Sequence, residues 1–409
     1  MNDRSTIPFQ IPEIGEDEIQ EVVATLRSGW LTSGERTARF ERDFAAYTGA
    51  RHALAVNSCT AGLHLALAAL GVGPGDEVIT TPLTFCATIN TILHVGATPV
   101  LADIGPDGNI DPDAIAARIT PRTRAIVPVH FAGYACDMDR IWRLAREHNL
   151  FVIEDAAHAA GTLYKGLPIG SNEGKYSSDA VAFSFYATKN MTTGEGGMVT
   201  TGSAELVARM KVLCLHGISR DAWNRYSNNG NWYYQVLESG FKYNLSDVQS
   251  AIGIHQLRKL ERFTETRIRW AKLYNEHFRD MEELETPPDS VYGRHCWHLY
   301  TLRLRPERLS ISRDEFIVQL RERGVCTSVH FIPIPLHPFF APWAERAENQ
   351  CPKAMGLYER MISLPLYSGM TKEQVNRVAY AVKEIVLQSR RLAVPAGASV
   401  QPADFSSHL

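Results

Sequence analysis

Several things that would narrow the function of this chain of 409 residues are missing from it. There is no excess of either charge, since the formal net charge is only -3, and so no electrostatic case for a nucleic acid or an anionic membrane as partner. Its seven cysteines are odd in number and contain no C-x-x-C pair, and no histidines cluster at ligand spacing. That argues against a disulfide framework or a zinc site and for reduced thiols. No apolar run approaches the length of a membrane-spanning helix. The first residues, Met1 to Phe9, carry no apolar core of the kind found in signal peptides, so a soluble cytoplasmic protein is expected. The G-x-G-x-x-G fingerprint of dinucleotide-binding folds is absent after the first strand-like run, which weakens a nicotinamide oxidoreductase reading.

What the chain does have is alternation. Short apolar runs suited to buried strands occur at Ala53–Val56, Glu77–Thr80, Thr98–Asp103, Ala125–Val129, Leu150–Asp155 and Ala180–Phe185. Amphipathic stretches fall between and after them, at Thr60–Leu70, Met138–His148 and Asp247–Phe263. This pattern predicts an α/β domain with a mainly parallel sheet covered by helices. Arg262–Phe278 reads as a charged helix leading into a second lobe, where Trp297–Leu304 looks like a strand and Arg313–Arg323 and Thr371–Gln388 look helical. The expected organisation is a large domain at 1–265, a smaller α+β domain at 266–390 and a disordered tail at 391–409, rich in Ala, Pro, Ser and Gly. No pattern is recognisable in 220–238.

The chemistry sits at the ends of two adjacent runs. Val152-Ile-Glu-Asp155 and Ala180 to Phe185 would both finish at the carboxyl edge of one sheet, where open α/β folds keep their ligands. Asp155 closes the first, and Lys189 follows the second in Ser184-Phe-Tyr-Ala-Thr-Lys189. A lysine amine and an acid at such an edge suit pyridoxal 5'-phosphate: the amine forms a Schiff base, and the carboxylate keeps the pyridinium protonated. Either residue alone has a plainer reading, a surface lysine or a helix cap.

Nearby segments allow further roles, each with a structural alternative. Asn57-Ser-Cys59-Thr60-Ala-Gly62 opens an apolar helix and forms either a phosphate cup or an ordinary N-cap. Ser184 could add a hydroxyl to the phosphate or serve a turn. Phe85 could stack on a cofactor ring or fill the core. His158, one helical turn beyond Asp155, could face the same ligand or be a satisfied structural residue. Gly194-Glu-Gly-Gly197 reads as a turn that permits close backbone approach.

Taken in order, Thr60-Ala-Gly-Leu-His-Leu-Ala-Leu, Gly73-Pro-Gly-Asp-Glu-Val-Ile, Glu154-Asp-Ala-Ala-His-Ala-Ala-Gly161, the lysine stretch and Tyr243-Asn244-Leu-Ser-Asp-Val-Gln-Ser-Ala resemble the DegT/DnrJ/EryC1/StrS family, over about residues 8 to 388. Those proteins are pyridoxal-phosphate sugar aminotransferases of fold-type I, the aspartate aminotransferase-like fold. Ser28-Gly-Trp-Leu-Thr-Ser-Gly34, Trp297-His-Leu and Val329-His330-Phe331 carry a closer likeness to enzymes making UDP-4-amino-4-deoxy-L-arabinose and to others acting on UDP-linked 4-ketosugars.

The resemblance implies a role for each matching residue. Lys189 would be the Schiff-base lysine and proton shuttle, and Asp155 the partner of the pyridinium. His158 would lie near the phenolic oxygen, and Phe85 would stack on the ring. Thr60, Ser184 and the amide of Cys59 would hold the phosphate, joined by Asn244 from a neighbouring subunit of a homodimer. Trp30 and Tyr186 would belong to the sugar site, with His330 reaching it across the dimer. Many members have His where this chain has Tyr186, which loses a group titrating near neutrality. Members that dehydrate sugars carry His at the lysine position, so Lys189 favours amino transfer. The implied reaction moves an amino group from L-glutamate to a nucleotide-linked ketosugar in two stages. A free keto-cyclitol acceptor, or a non-catalytic pyridoxal-phosphate regulator, are the alternatives.

Overall fold

The structure, a computed structural model, describes residues 6–174, 177–219, 233–344 and 350–391. The expected disordered tail lies outside these from residue 392 onward, as do residues 220–232 of the stretch without a pattern. In chain order the first half runs α1 (Glu16–Ser28), α2 (Glu35–Thr48), β1 (His52–Val56), α3 (Cys59–Ala69), β2 (Glu77–Thr80), α4 (Cys86–His94), β3 (Thr98–Leu101), α5 (Pro112–Ala116), β4 (Thr123–Val127), α6 (Met138–Glu147) and β5 (Phe151–Asp155). It continues with β6 (Leu163–Tyr164), β7 (Leu167–Pro168), β8 (Ala180–Ser184), β9 (Gly197–Thr201), α7 (Ala204–Cys214) and α8 (Asp247–Phe278). The remainder is β10 (Leu284–Glu285), β11 (Tyr300–Leu304), α9 (Arg313–Glu322), α10 (Ala341–Ala344), α11 (Pro352–Arg360), β12 (Met361–Leu364) and α12 (Lys372–Ser389).

Seven strands form the main sheet in the order β1-β9-β8-β5-β4-β2-β3. Strands β3, β2, β4, β5 and β8 pair in parallel, whereas β9 runs against both β8 and β1. Strand β8 is buried along its whole length, as is β5 after its first residue. That accounts for their apolar runs at 151–153 and 180–183, since helices cover both faces. Pro99 lies in β3, at the sheet's edge, where a missing N–H leaves no gap in the ladder. The reversal at β9 matters for the site. Because β8 and β9 are antiparallel partners, with Ser184 opposite Gly197, the lysine stretch between them is a closed loop anchored at both ends. Phe185 N–H bonds Gly196 O, and Thr193 N–H bonds Phe185 O, both at 2.9 Å.

Two apolar cores flank this sheet, and a third surrounds the small antiparallel sheet β10-β11-β12 together with α9, α12 and the later part of α8. The two expected helices at 247–263 and 262–278 are one, α8, opened by a reciprocal cap between Ser246 and Gln249. The expected domain boundary at 265/266 falls inside it. The expected strand Trp297–Leu304 starts only at Tyr300, because Trp297 has φ 51, a left-handed conformation that interrupts extended backbone. A fourth cluster, including Leu83, Phe131, Ile334 and Met361, joins the sheet's carboxyl edge to the small lobe.

Candidate active site

At that junction lies a cavity of about 330 Å³. Its walls bring together Cys59, Thr60, Phe85, Asp155, His158, Ser184, Tyr186, Lys189 and His330, drawn from sequence positions 59 to 330. The parallel strands explain the convergence, since the chain leaves β1, β2, β5 and β8 at the same edge.

Cys59 and Thr60 open α3, and Ser58 is its N-cap, with the hydroxyl accepting from Ala61 N–H at 3.1 Å. The amides of Cys59 and Thr60, as first-turn donors, have no intrahelical acceptor, and the helix dipole adds partial positive charge. Gly197 makes room for this helix start: a Cβ there would lie 2.7 Å from Cys59 N. The close approach, expected toward the lysine loop, is made against the start of α3 and against β8, Phe183 O lying at the same 2.7 Å. Ser184 ends β8 beside it, its hydroxyl 3.4 Å from Tyr186 N–H.

Asp155 is 5% exposed and ends β5. Its Oδ2 accepts from Thr88 Oγ1 at 2.8 Å and its Oδ1 from Ala157 N–H at 3.1 Å. Burial raises its carboxyl above the usual range, opposed by those two donors and by Lys189 and His130. Lys189 is shifted the other way: burial lowers its ammonium to about 8, opposed by Cys59 and Asp155. Burial holds the Cys59 thiol protonated, with the Asp155 charge adding to the effect.

His158 is 5% exposed, and its buried Nδ1 has no hydrogen-bond partner among the described residues. Its ring lies face to face with Phe331, centroids 5.6 Å apart, and 4.3 Å from His298. Burial, with Lys189 and His330 nearby, keeps it neutral. Phe85 is 60% exposed at the N-terminus of α4, so it is not core and offers a free ring face. Tyr186 is exposed on the same wall.

His330, expected to reach a site across a dimer, lines the cavity of its own chain. Its Nδ1 bonds Ser363 Oγ at 2.9 Å, and its ring stacks on Phe9 at 5.4 Å. The N-terminal segment brings Phe9 there by bonding the small lobe, Ile7 N–H to Gly324 O at 2.8 Å. Trp297 turns into the small lobe's core at 5% exposure, stacked on His295 at 4.1 Å, while the next residue, His298, takes the place on the wall. Trp30 and Asn244 lie outside this cavity. Trp30 is 40% exposed, with Nε1 bonded to Ser33 O at 3.2 Å, and Asn244 donates to Ser33 Oγ at 2.8 Å. They meet through Ser33, which is itself buried.

Sequence reasoning missed Thr88, His298 and Asn190. Thr88 follows Phe85 by three residues in α4, and its position one helical turn past Thr84 is the available signal. The others depend on contacts between distant segments.

The residues present fit pyridoxal 5'-phosphate. A buried carboxylate faces the cavity that holds a lysine lowered to about 8, a helix start supplies unpaired amides, and an imidazole nitrogen has no partner among the described residues. Comparison with known proteins agrees. The DegT/DnrJ/EryC1/StrS aminotransferase family matches residues 12–383. The spore coat polysaccharide biosynthesis protein SpsC of Bacillus subtilis (strain 168) is 52% identical over 382 residues, 93% of this chain and 97% of its own. Spr1654 from Streptococcus pneumoniae, solved in PMP and PLP forms, superposes in the PMP form with a TM-score of 0.86 at 34% identity, covering 93% of this chain and 99% of that one. Helicobacter pylori PseC, an aminotransferase involved in the biosynthesis of pseudoaminic acid, gives a TM-score of 0.86 at 30% identity over 94% of this chain and all of its own.

Proposed function

Because the chain belongs to the DegT/DnrJ/EryC1/StrS family and is a fold-type I, pyridoxal-phosphate-dependent sugar aminotransferase, we propose that it moves an amino group from L-glutamate to a nucleotide-linked ketosugar, a UDP-4-ketosugar, by two successive half-reactions. The observation that carries this reading is the single cavity in which Lys189 and Asp155 meet three imidazoles and the Tyr186 ring. The first pair suits amino transfer, and the others suit a hydroxyl-rich acceptor.

Pyridoxal phosphate, when bound, supplies an electrophilic carbonyl and a ring that withdraws electrons from the donor's Cα. Lys189 would bond it, and its Nζ would move a proton off the glutamate Cα and onto the cofactor in the first half-reaction, and off the cofactor and onto the acceptor carbon in the second. An amine near pKa 8 suits both directions, since each protonation state is populated near neutrality. Asp155 would hold the ring nitrogen's proton. The buried carboxylate gains a cationic partner in doing so, which offsets its desolvation. Thr60, Ser184 and the Cys59 amide would hold the phosphate, Phe85 would cover one ring face, and His158 would meet the phenolic oxygen.

A homodimer with shared sites completes the reading. Trp30 and Asn244 do not line their own chain's cavity, and in this proposal they serve a partner's. The whole is tested by a glutamate half-reaction followed by UDP-, GDP- and dTDP-4-ketosugars and a keto-cyclitol, with product masses determined. Amination of the cyclitol alone overturns the acceptor, and no half-reaction with glutamate overturns the donor.

A further inference from the structure

The residue after Lys189 fixes the protonation state of an imidazole on the opposite lobe. Asn190 Nδ2 lies 3.3 Å from both Ala160 O and Cys296 O. Carbonyl oxygens only accept, so the amide nitrogen must be the atom that faces them. Asn190 Oδ1 then faces His298 Nδ1 at 3.1 Å, and as an acceptor it requires a hydrogen there. The ring is 5% exposed and stays neutral: burial comes first, and His158, Lys189, Arg267 and His330 all disfavour a further positive charge. A neutral imidazole protonated at Nδ1 carries a bare lone pair at Nε2. That atom bonds no protein group among the described residues, and His298 lines the cavity.

The backbone around His298 is held in place with unusual firmness. Trp297 takes its left-handed φ of 51, a conformation that bulky residues keep only where surrounding contacts impose it. Arg267, 1% exposed, imposes some of them by donating from Nη1 to Trp297 O, His298 O and Leu366 O at 3.4, 3.3 and 2.6 Å. Gly133 permits the approach from the other side. A Cβ there would stand 2.5 Å from Cys296 Sγ and 3.2 Å from His298 N.

We propose that His298 is a substrate-binding residue of the amino-acceptor half-reaction: locked by Asn190 as the Nδ1–H tautomer, it offers Nε2 as a permanent acceptor to a hydroxyl of the sugar. This rests on reading the cavity as the sugar site. The ligand group is a neutral hydroxyl and not the donor's ammonium, because Lys189 and Arg267 already disfavour further positive charge at the ring. His158 offers no such fixed acceptor, as its Nδ1 has no partner among the described residues to set a tautomer.

Two variants separate binding from scaffolding. In His298→Asn the side-chain amide stands near the old Nδ1 and keeps the bond to Asn190, but nothing remains at Nε2. In His298→Gln an amide oxygen reaches the Nε2 position while the tether to Asn190 is lost. They are assayed with whichever ketosugar or keto-cyclitol of the panel the wild-type protein aminates, so a failed nucleotide-sugar reading is recognised separately. His298→Asn should lower kcat/KM for that acceptor by roughly tenfold or more, from a hydroxyl left unpaired, with the glutamate half-reaction unchanged and His298→Gln less impaired. A purely structural role gives the reverse order, and that order, or equal loss in both half-reactions, overturns the proposal. Isotope-edited NMR of the imidazoles reads the tautomer without turnover. The signal missing in His298→Asn should be a neutral ring protonated at Nδ1, and a charged or Nε2–H ring also overturns it.

Discussion

Thr88 Oγ1 donates to Asp155 Oδ2 at 2.8 Å, and Thr84 Oγ1 lies 2.7 Å behind it, against Thr88. Thr88 has one proton, directed at the carboxylate, so Thr84 must donate to Thr88. All three groups are buried. This polarised hydroxyl chain favours the ionised form of an acid that burial otherwise neutralises. Thr88→Val keeps the shape and removes the donor. Cofactor affinity should fall by about 1.5–3 kcal/mol, the range for a hydrogen bond to a charged group. Asp155→Asn should still bind cofactor but slow Cα proton abstraction by orders of magnitude, since an amide offers the ring nitrogen no charge. Wild-type half-reaction rates in Asp155→Asn would show that the acid does not serve the ring.

The amine of Lys189 is the one expected to carry the cofactor. Borohydride reduction and peptide mapping should place the pyridoxyl label on Lys189, and Lys189→Ala should lose turnover altogether. A label on any other lysine refutes the assignment.

How much of this is legible in the sequence depends on the range of the interactions. Buried parallel strands announce themselves as short apolar runs, and the residue type at each run's end is explicit, so Asp155, Ser184 and Lys189 can be placed at one edge without coordinates. Strand direction is not written in composition: Gly197–Thr201 resembles its neighbours yet runs backwards, and that reversal is what closes the lysine loop. Trp297 is an apolar residue in an apolar run, and its left-handed turn into the core is imposed by Arg267 and Gly133 from far away in the chain. His330 reaches its own cavity because the small lobe folds back along α8, a packing outcome no local pattern encodes.

The contact that joins Trp30, Ser33 and Asn244 leads to a prediction about assembly. Mixing inactive Lys189→Ala with Asn244→Asp protein should restore activity through hybrid dimers that hold one intact site each. A carboxylate at 244 would repel a phosphate as well as fail to donate to it. No rescue despite demonstrated subunit exchange, or full activity from a monomer in light scattering, rules out shared sites.

Acid should destabilise the cofactor-free protein. Burial, the first cause in each case, holds His158, His295, His298 and His330 below the ordinary 6.5, His330 to about 4 and His295 to about 3. Below pH 6.5 the unfolded chain therefore binds protons that the folded one refuses. Their contribution is intact above 6.5 and is lost as pH falls toward 4 and 3, at up to about 1.4 kcal/mol per pH unit for each histidine. Tm measured across this range should drop, and His330→Gln should drop less steeply between 6.5 and 4. A flat profile would mean that these rings titrate freely in the folded protein.

The final prediction concerns which half-reaction His330 serves. Its Nδ1 is engaged by Ser363 and its ring leans on Phe9, so the imidazole is held at the cavity wall by the small lobe and the N-terminal segment. Glutamate is small and needs the lysine and the cofactor, whereas a nucleotide-linked sugar is large enough to reach this wall. His330→Ala should raise KM for the ketosugar by roughly tenfold, the scale of one lost polar contact, and leave the glutamate half-reaction nearly intact. Because Ser363 loses its partner in that variant, His330→Asn, whose amide can still reach the hydroxyl, controls for a local collapse. Equal loss in both half-reactions, persisting in His330→Asn, would place His330 in the scaffold that holds the cofactor and remove it from the sugar site.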